Sequence, residues 1–287
     1  MKLEGCDFAV IGGDMRQVYT ARILEKRGYR VKSFALCCGE HPASPGDLRE
    51  VVGSARTVIA PVPLSADKVY MNQRSGNPPV LLSELLDSLR EEQELFAGCI
   101  PEDFFDAAGK KGVRAVDLMV QEEVAVYNTI ATAEGAVAEA IIKYPGNLRK
   151  SRCMVLGYGR CGQTLTMLLK GMGCQVYVCE KMPAQAARAA VQADAVFGLE
   201  ELEGFLTESD LIFNTVPAPV LTKKRISRIK PSACIFDLAS APGGTDFDAA
   251  EEQGISAWLL PGLPGRYAPE ASAEGLVHFI LQYRNHR

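Results

Sequence analysis

The feature that most constrains the fold of this chain is a glycine pattern in its second half. An apolar run at residues 154–156 leads into G-Y-G-R-C-G at residues 157–162, and a helical pattern follows at residues 163–170. A strand that turns through G-x-G-x-x-G into a helix is typical of a dinucleotide-binding Rossmann unit, and an acidic residue about 20 positions further on strengthens the prediction. Glu180 ends the next apolar run and fills that place. The alternative, a glycine-rich turn without a ligand, fits this context poorly.

The glycines of this pattern have separate roles. The first permits the tight turn, the second lets the backbone approach a pyrophosphate, and the third lets the helix pack close to the strand. The helix that follows offers N–H groups and the positive end of its dipole to the phosphates. Cofactor contacts are therefore predicted from Gly157, Gly159, Arg160, Cys161 and Gly162.

The residues after the second strand of this unit bear on the choice of dinucleotide. The Glu180 carboxylate can accept both ribose hydroxyls of NAD and would repel a 2′-phosphate. Lys181 follows directly and Arg188 lies in the next helical segment, so either cation could neutralise such a phosphate. The predicted cofactor is NAD or NADP, and Glu180 favours NAD.

A second group of predicted cofactor contacts follows the strand at residues 211–215. Ligands of open α/β sheets bind beyond the carboxyl ends of the strands. Asn214, Thr215 and Pro217 are therefore expected beside the nicotinamide ribose. The alternative is an ordinary turn from a strand into a loop.

Short apolar runs alternate with amphipathic stretches along the whole sequence, which predicts parallel sheets covered by helices. The fold class is α/β, with two Rossmann-like domains that have parallel sheets and are joined by a long connector helix. We assign residues 1–120 to an N-terminal α/β domain on the substrate side, 121–146 to the connector helix, 147–266 to the Rossmann domain and 267–287 to a C-terminal helix. Strands are predicted at residues 7–11, 30–36, 57–60, 95–100, 114–118, 152–156, 175–179, 211–215, 234–238 and 256–260, and a loop at 39–47.

Composition excludes several classes of function. The net charge of −4, without a cluster of Lys and Arg, argues against nucleic acid as a partner. The N-terminus does not have the pattern of a signal peptide, and no apolar run reaches the roughly 18 residues of a membrane span, so a cytoplasmic protein is expected. The nine cysteines contain no C-x-x-C pair and are interpreted as reduced thiols. With three histidines in the chain, no metal site is predicted.

Several motifs together resemble one family. V-I-G-G-D-M-R-Q at residues 10–17 is similar to the V-I-G-G-D-x-R-Q opening of the A subunits of dipicolinate synthase. Y-N-T-I-A-T-A-E-G at residues 127–135 is similar to that family's Y-N-S-I-P-T-x-E-G. Near the C-terminus, D-L-A-S-A-P-G-G-T-D-F at residues 237–247 and P-G-L-P-G at residues 261–265 match two further motifs, and A-P at residues 268–269 follows. The motifs span nearly the whole chain in the family's order.

The resemblance implies an activity and partners. Members of this family oxidise a dihydrodipicolinate-type intermediate to pyridine-2,6-dicarboxylate for the bacterial spore, which implies a cytoplasmic location in the mother cell. The A subunit binds the dinucleotide and works with a flavoprotein-like B subunit. The sequence leaves the oligomeric state open between an even-numbered homo-oligomer and a complex with the B subunit. The family pattern has an Arg at the position of Glu180, which suits NADP.

The implied reaction removes a hydride and a proton from the ring, so the protein mainly has to position a small dicarboxylate. A bidentate arginine is suited to each carboxylate. Substrate contacts are predicted from Gly13, Asp14, Arg16, Ser240 and Arg266, and Ser240 with the following glycines forms either an anion pocket or a helix cap.

Catalytic roles are predicted for Arg16 and for three polar residues of the connector helix, namely Asn128, Thr132 and Glu134. Asn128 and Thr132 share a helix face, where they either line a cleft or bond locally. The general base is left open between Glu134 and Asp14.

Two other functions fit parts of the sequence. The first is a two-domain NAD-dependent dehydrogenase for a hydroxy or amino acid, although the Rossmann half has no histidine before His278. The second is a non-catalytic subunit that binds a dinucleotide and regulates its partner.

Overall fold

A computed structural model describes residues 5–36, 47–74 and 76–286. The chain divides into two compact units, one of Met1–Tyr127 with Ala268–Arg287 and one of Asn128–Tyr267. The C-terminal helix belongs to the first unit, and the long helix at residues 122–143 contributes residues to both units. The predicted loop at 39–47 lies outside the described residues except for Asp47.

The first unit is built on a parallel sheet. Its described strands have the order β2-β1-β3-β4-β5. The elements are β1 (Cys6–Ile11), α1 (Met15–Lys26), β2 (Val31–Phe34), α2 (Leu48–Gly53), β3 (Ala55–Ile59), α3 (Leu82–Ser88), β4 (Glu94–Ala97), α4 (Glu102–Lys110) and β5 (Arg114–Asp117), followed by the long helix α5 (Glu122–Lys143).

The strand β1 shows why this sheet is covered on both faces. Phe8 and Val10 belong to one apolar cluster, whereas Ala9 and Ile11 belong to another. Alternate side chains of a strand point to opposite faces, so the continuous apolar run at residues 8–11 is buried on both faces of the sheet. Helix α1 begins after Asp14, whose side chain accepts the backbone N–H of Arg16 at 2.9 Å.

The second unit has a larger parallel sheet. Its described strands have the order β11-β10-β9-β6-β7-β8, the arrangement of a dinucleotide-binding Rossmann domain. The elements are β6 (Arg152–Leu156), α6 (Arg160–Gly171), β7 (Gln175–Cys179), α7 (Pro183–Ala189), β8 (Ala195–Phe197), α8 (Leu202–Leu206), β9 (Leu211–Asn214), α9 (Lys223–Ile226), β10 (Cys234–Asp237), α10 (Phe247–Glu252), β11 (Ser256–Leu259) and α11 (Leu263–Tyr267).

These observations confirm the predicted fold class of two parallel α/β domains. The strand β8 was not predicted from the sequence, and the short helices between the later strands were predicted without bounds. A strand of three residues and helices of one or two turns carry too little periodicity to be delimited.

The last helix, α12 (Pro269–Asn285), completes the first unit by packing on α1. Leu276, Val277 and Ile280 of this helix are buried in the same apolar cluster as Val18 and Leu24 of α1. None of the described helices combines the length and apolar character that crossing a membrane requires.

Candidate functional site

The turn between β6 and α6 requires two of its three glycines, and the third leaves open space. Gly157 has a φ of +87°, and a Cβ there would lie 2.7 Å from Thr215 Oγ1. A Cβ on Gly162 would lie 2.1 Å from the carbonyl oxygen of Gly157, so the helix could not pack this closely with any other residue. Gly159, at the N-cap of α6, has no atom within 4 Å of the Cβ position. The second glycine of the dinucleotide pattern therefore has open space beside it, which is where a phosphate would approach the backbone.

Glu180 directly follows β7, and its side chain contacts the backbone of the same turn. Its carboxylate accepts the backbone N–H of Tyr158 at 2.7 Å and that of Met182 at 2.8 Å. The Tyr158 side chain is buried, and its hydroxyl lies 3.0 Å from Gln192 Oε1. Glu180, which is predicted to bind the ribose, thus also holds the backbone of the turn in place. This structural role was not predicted from the sequence.

The other predicted residues of this turn differ in exposure. Arg160 is exposed at the first position of α6, and Lys181 is exposed directly after Glu180. Cys161 is half-buried, and this burial raises the pKa of its thiol despite the neighbouring Arg160.

The predicted contacts after β9 are mostly engaged within the protein. Asn214 is fully buried, and its side chain donates to the carbonyl of Val216 and accepts the Val216 N–H, both at 3.1 Å. The Thr215 hydroxyl donates to the carbonyl of Leu156 at 2.8 Å. Pro217 is exposed. The alternative of a structural turn therefore describes the side chain of Asn214, which faces the protein interior.

The loop after β10 was predicted to be either an anion pocket or a helix cap, and its hydrogen bonds distinguish the two. The Gly244 N–H and the Thr245 hydroxyl both donate to the buried carboxylate of Asp237, at 2.8 and 2.7 Å. Asp246 caps α10 by accepting the Ala249 N–H at 3.0 Å. The anion-pocket alternative is wrong for Gly244, because a protein carboxylate already occupies its N–H. Ser240 is exposed in the same loop.

In the first unit, the predicted substrate residues surround the turn between β1 and α1. Gly13 has a φ of +79°, and its N–H donates to the carbonyl of Asn72 at 2.7 Å. Arg16 is 4% exposed and pairs with Asp14, with 2.7 Å between Nη2 and Oδ2. The same Nη2 donates to the carbonyl of Val62, which follows β3. Arg16 therefore links the carboxyl ends of β1 and β3, where the direction of strand order reverses.

The polar residues of α5 do not behave alike. Thr132 is buried, and its hydroxyl donates to the carbonyl of Asn128 at 3.0 Å. The Asn128 side chain is half-buried, and Glu134 is exposed. The Thr132 hydroxyl is thus engaged in a hydrogen bond within its own helix. The catalytic roles expected for Asn128, Thr132 and Glu134 remain predictions.

Arg266 has a protein partner that was not predicted from the sequence. Its Nη2 lies 2.5 Å from Oε1 of Glu139 on α5, and the Tyr267 hydroxyl donates to the same oxygen at 2.7 Å. Burial acts to raise the pKa of Glu139, but the Tyr267 hydroxyl and the cations Arg266 and Lys143 hold that pKa below its ordinary value. The predicted substrate role for Arg266 therefore competes with an ion pair.

Gly135 shows how closely this part of the second unit is packed. A Cβ on Gly135 would lie 2.9 Å from Cδ2 of Tyr267 and 3.1 Å from Cβ of Leu263. The glycine that ends the motif at residues 127–135 is thus required for α11 to approach α5. This motif has a structural reason that spacing alone did not reveal.

Two family models match the chain. The model described as the N-terminal domain of the dipicolinate synthase A subunit matches residues 7–119. The model described as the NAD binding domain of D-isomer specific 2-hydroxyacid dehydrogenase matches residues 124–242. The second match agrees with the open turn at Gly159, and NAD(P) is accordingly the cofactor of this oxidoreductase-type domain.

Individual relatives cover almost the whole chain. The A subunit of dipicolinate synthase from Bacillus subtilis (strain 168) is 32% identical over 283 residues, which are 97% of this chain and 95% of the relative. The crystal structure of that enzyme's A subunit from Bacillus subtilis has a TM-score of 0.84 at 30% identity and covers 99% of this chain and 97% of that one. The corresponding structure from Bacillus halodurans has a TM-score of 0.82 at 26% identity and covers 98% of each chain. The chain therefore belongs to the family of dipicolinate synthase A subunits.

Proposed function

We propose that the chain is the catalytic A subunit of a dipicolinate synthase. The reaction takes one hydride and one proton from a dihydrodipicolinate-type intermediate and yields pyridine-2,6-dicarboxylate with reduced NAD(P). The observation that carries the proposal is the family match together with a dinucleotide turn whose second glycine faces open space. The oxidised nicotinamide supplies the hydride acceptor when it is bound. The gain of aromaticity favours product, so the residues mainly bind and orient the two reactants.

We propose that the turn at residues 157–162 holds the pyrophosphate and that Glu180 selects NAD. Gly159 leaves the backbone accessible, and the N-terminus of α6 favours negative charge. Two backbone N–H groups hold the Glu180 carboxylate beside this turn. A 2′-phosphate placed against that fixed negative charge would be repelled. Exposed Lys181 could screen the repulsion but does not contribute a ribose acceptor.

For the substrate, we propose that Arg16 recognises one ring carboxylate, with Gly13 and Asp14 forming the adjacent wall. Arg16 lies at the carboxyl edge of the first sheet, where ligands of open α/β folds bind. Its pairing with Asp14 fixes the plane of the guanidinium, which is the property that recognition of a carboxylate uses. Ser240, also exposed at a carboxyl edge, is retained as a contributor. Arg266 also pairs with a protein carboxylate, that of Glu139, but its side chain is 52% exposed, so it is retained as a second candidate for a ring carboxylate.

The proton that leaves the ring requires an acceptor, and two carboxylates are proposed. Asp14 is about one third exposed beside Arg16, with 37% of its side chain accessible, and Glu134 is exposed on α5. The variants Asp14→Asn and Glu134→Gln distinguish them. Loss of the base lowers kcat and removes the acidic limb of its pH profile, while substrate binding changes less.

The partnership with a B subunit is proposed from the name of the Bacillus subtilis relative, which designates it as the A subunit of its enzyme. We expect a stable A–B complex or an even-numbered oligomer of the A subunit, and size-exclusion chromatography with light scattering measures which one forms. A location in the mother cell during sporulation is part of the same proposal.

A coupled assay tests the proposed reaction. The product of dihydrodipicolinate synthase is made in situ and offered to this chain with NAD or NADP, with and without the B subunit. The appearance of pyridine-2,6-dicarboxylate is followed by absorbance. Product with a nicotinamide cofactor supports the proposal. If the chain binds the dinucleotide yet forms no product under any combination, the oxidoreductase assignment is wrong and a regulatory role replaces it.

A further inference from the structure

A carboxylate that was not among the predicted site residues lies at the carboxyl end of β10. Asp237 is fully buried. Its Oδ1 accepts the Asn214 side-chain amide at 3.0 Å and the Ala239 N–H at 3.1 Å. Its Oδ2 accepts the Gly244 N–H at 2.8 Å and the Thr245 hydroxyl at 2.7 Å. All four donors are neutral, so these hydrogen bonds must compensate the cost of removing a carboxylate from water.

The donors come from two of the loops at the carboxyl edge of the second sheet. Asn214 ends β9, whereas the other three donors, Ala239, Gly244 and Thr245, lie in the loop that follows β10. This loop also packs without spare room. A Cβ on Gly243 would lie 2.8 Å from Oδ2 of Asp237, and a Cβ on Gly244 would lie 2.4 Å from the carbonyl oxygen of Ala218. Asp237 therefore joins the loops after β9 and β10.

The connection continues to the glycine turn of the cofactor site. Asp237 orients the Asn214 amide, and Asn214 binds both the N–H and the carbonyl of Val216. Thr215, between them, donates to the carbonyl of Leu156 at 2.8 Å, and its Oγ1 lies 2.7 Å from the position of a Cβ on Gly157. A buried polar network of this kind holds its members in one arrangement when every member is satisfied.

We propose that Asp237 is a positioning residue for the dinucleotide. Through Asn214 and Thr215 it fixes the turn at Gly157, and through Gly244 it fixes the neighbouring loop that carries Ser240. The role concerns binding of NAD(P), and it stands whether or not the proposed oxidation takes place.

The test compares Asp237→Asn with Asp246→Asn in the full chain. Either orientation of an amide at position 237 turns its NH2 group toward two donors, whereas Asp246 is an exposed cap of α10 in the same motif. NADH binding is measured by fluorescence titration and folding by circular dichroism. We expect the Kd of Asp237→Asn to rise about tenfold and that of Asp246→Asn to stay within about twofold. An unchanged Kd for folded Asp237→Asn overturns the proposal.

Two further variants separate positioning from general stability. Thr245→Val removes one of the four donors and keeps the carboxylate, so it carries the test if Asp237→Asn does not fold. Its Kd is expected to rise roughly threefold, and an unchanged Kd contradicts the proposal. The second variant combines Asn214→Ala with Asp237→Asn, or with Thr245→Val if Asp237→Asn does not fold. This double variant should weaken NADH binding no more than the stronger of its two single variants, because the residues act through one network. Multiplicative losses would show that Asp237 does not act through Asn214.

Discussion

The two units begin in the same way, with an apolar strand, a glycine turn and a helix, but the two helix N-termini differ. In the first unit, Asp14 caps α1 with its own carboxylate and pairs with Arg16. In the second, Gly159 stands at the N-cap of α6 and leaves space at the position of a Cβ. A helix N-terminus attracts an anion in both cases. The protein supplies that anion itself in the first unit, whereas the N-terminus of α6 is open and is where we propose that the dinucleotide binds.

A turn with glycines at positive φ does not by itself leave room for a phosphate. Gly12 and Gly13 have positive φ, as Gly157 does. A Cβ on Gly13 would collide with the side chain of Gln17, which completes the capping box of α1. We therefore expect the residue at the N-cap to determine which of the two turns accepts a phosphate.

The largest expected effect comes from making the second turn resemble the first. Gly159→Asp places a carboxylate where the pyrophosphate is expected, and the extended backbone there accommodates any residue. NADH binding should weaken about 100-fold, or about 2.7 kcal/mol, because two negative charges would meet. Fluorescence titration measures the loss. The control is Gly204→Asp on α8, which also has no atom within 4 Å of its Cβ position. Equal losses in the two variants would contradict the comparison.

The next effect tests the ion pair of the first turn. Arg16→Ala leaves Asp14 without its bidentate partner and removes a donor to Val62, so the free energy of unfolding should fall by about 2 kcal/mol in urea titrations. Arg16→Lys should recover little of the coupled activity, because an ammonium lacks the planar fork. Arg49→Ala, at an exposed position of α2, serves as control. If Arg16→Ala is as stable as the control, Arg16 does not hold this edge together.

A smaller effect concerns the second arginine–carboxylate pair. Glu139→Gln should lower the free energy of unfolding at neutral pH by about 1–2 kcal/mol, because it weakens the bonds to Arg266 and Tyr267. Since the folded pKa of Glu139 lies below its ordinary value of 4.5, the wild-type stabilisation is complete above that value and is lost as the pH falls through the folded pKa. The difference between wild type and variant should therefore shrink in acid. A difference that is constant with pH would argue against the ion pair, and exposed Glu123→Gln provides the reference.

The smallest effect sharpens the view of the second turn. Glu180→Gln removes the charge, and either orientation of its amide turns the NH2 group toward the N–H of Tyr158 or Met182, so both cofactors should bind more weakly. Because the repulsion of a 2′-phosphate is also lost, the preference for NAD over NADP should fall roughly fivefold, or about 1 kcal/mol. The ratio of the two Kd values measures it, with exposed Glu251→Gln as control. A ratio that does not change would mean that Glu180 only supports the backbone of Tyr158 and Met182.

Much of the fold followed from local sequence patterns. The strands β6 and β7 were predicted with the bounds that the structure has, because each is a short apolar run with helical segments on either side. The family and a nicotinamide cofactor were confirmed as well. These features depend on neighbours in the chain, and the sequence displays them directly.

The parts that could not be predicted depend on contacts between distant residues. Arg266 and Glu139 are 127 positions apart, and Asn214 and Asp237 are 23 apart. The sequence shows that these side chains are polar, but it does not show which of them a partner already neutralises. Asp237 offered one signal, since it lies in the strand predicted at residues 234–238 and opens a family motif. That Asp237 contacts Asn214 could be inferred only from the order of the strands, in which β9 and β10 are neighbours.

A crystal structure of the chain with NAD bound tests the proposed cofactor site most directly. We predict a pyrophosphate on the turn at residues 157–162, with its oxygens facing the backbone of Gly159 and a ribose beside Glu180. The turn of the first unit should keep its Asp14–Arg16 pair without a phosphate. A pyrophosphate bound at Gly12 and Gly13, with the turn of the second unit empty, would contradict the proposed site.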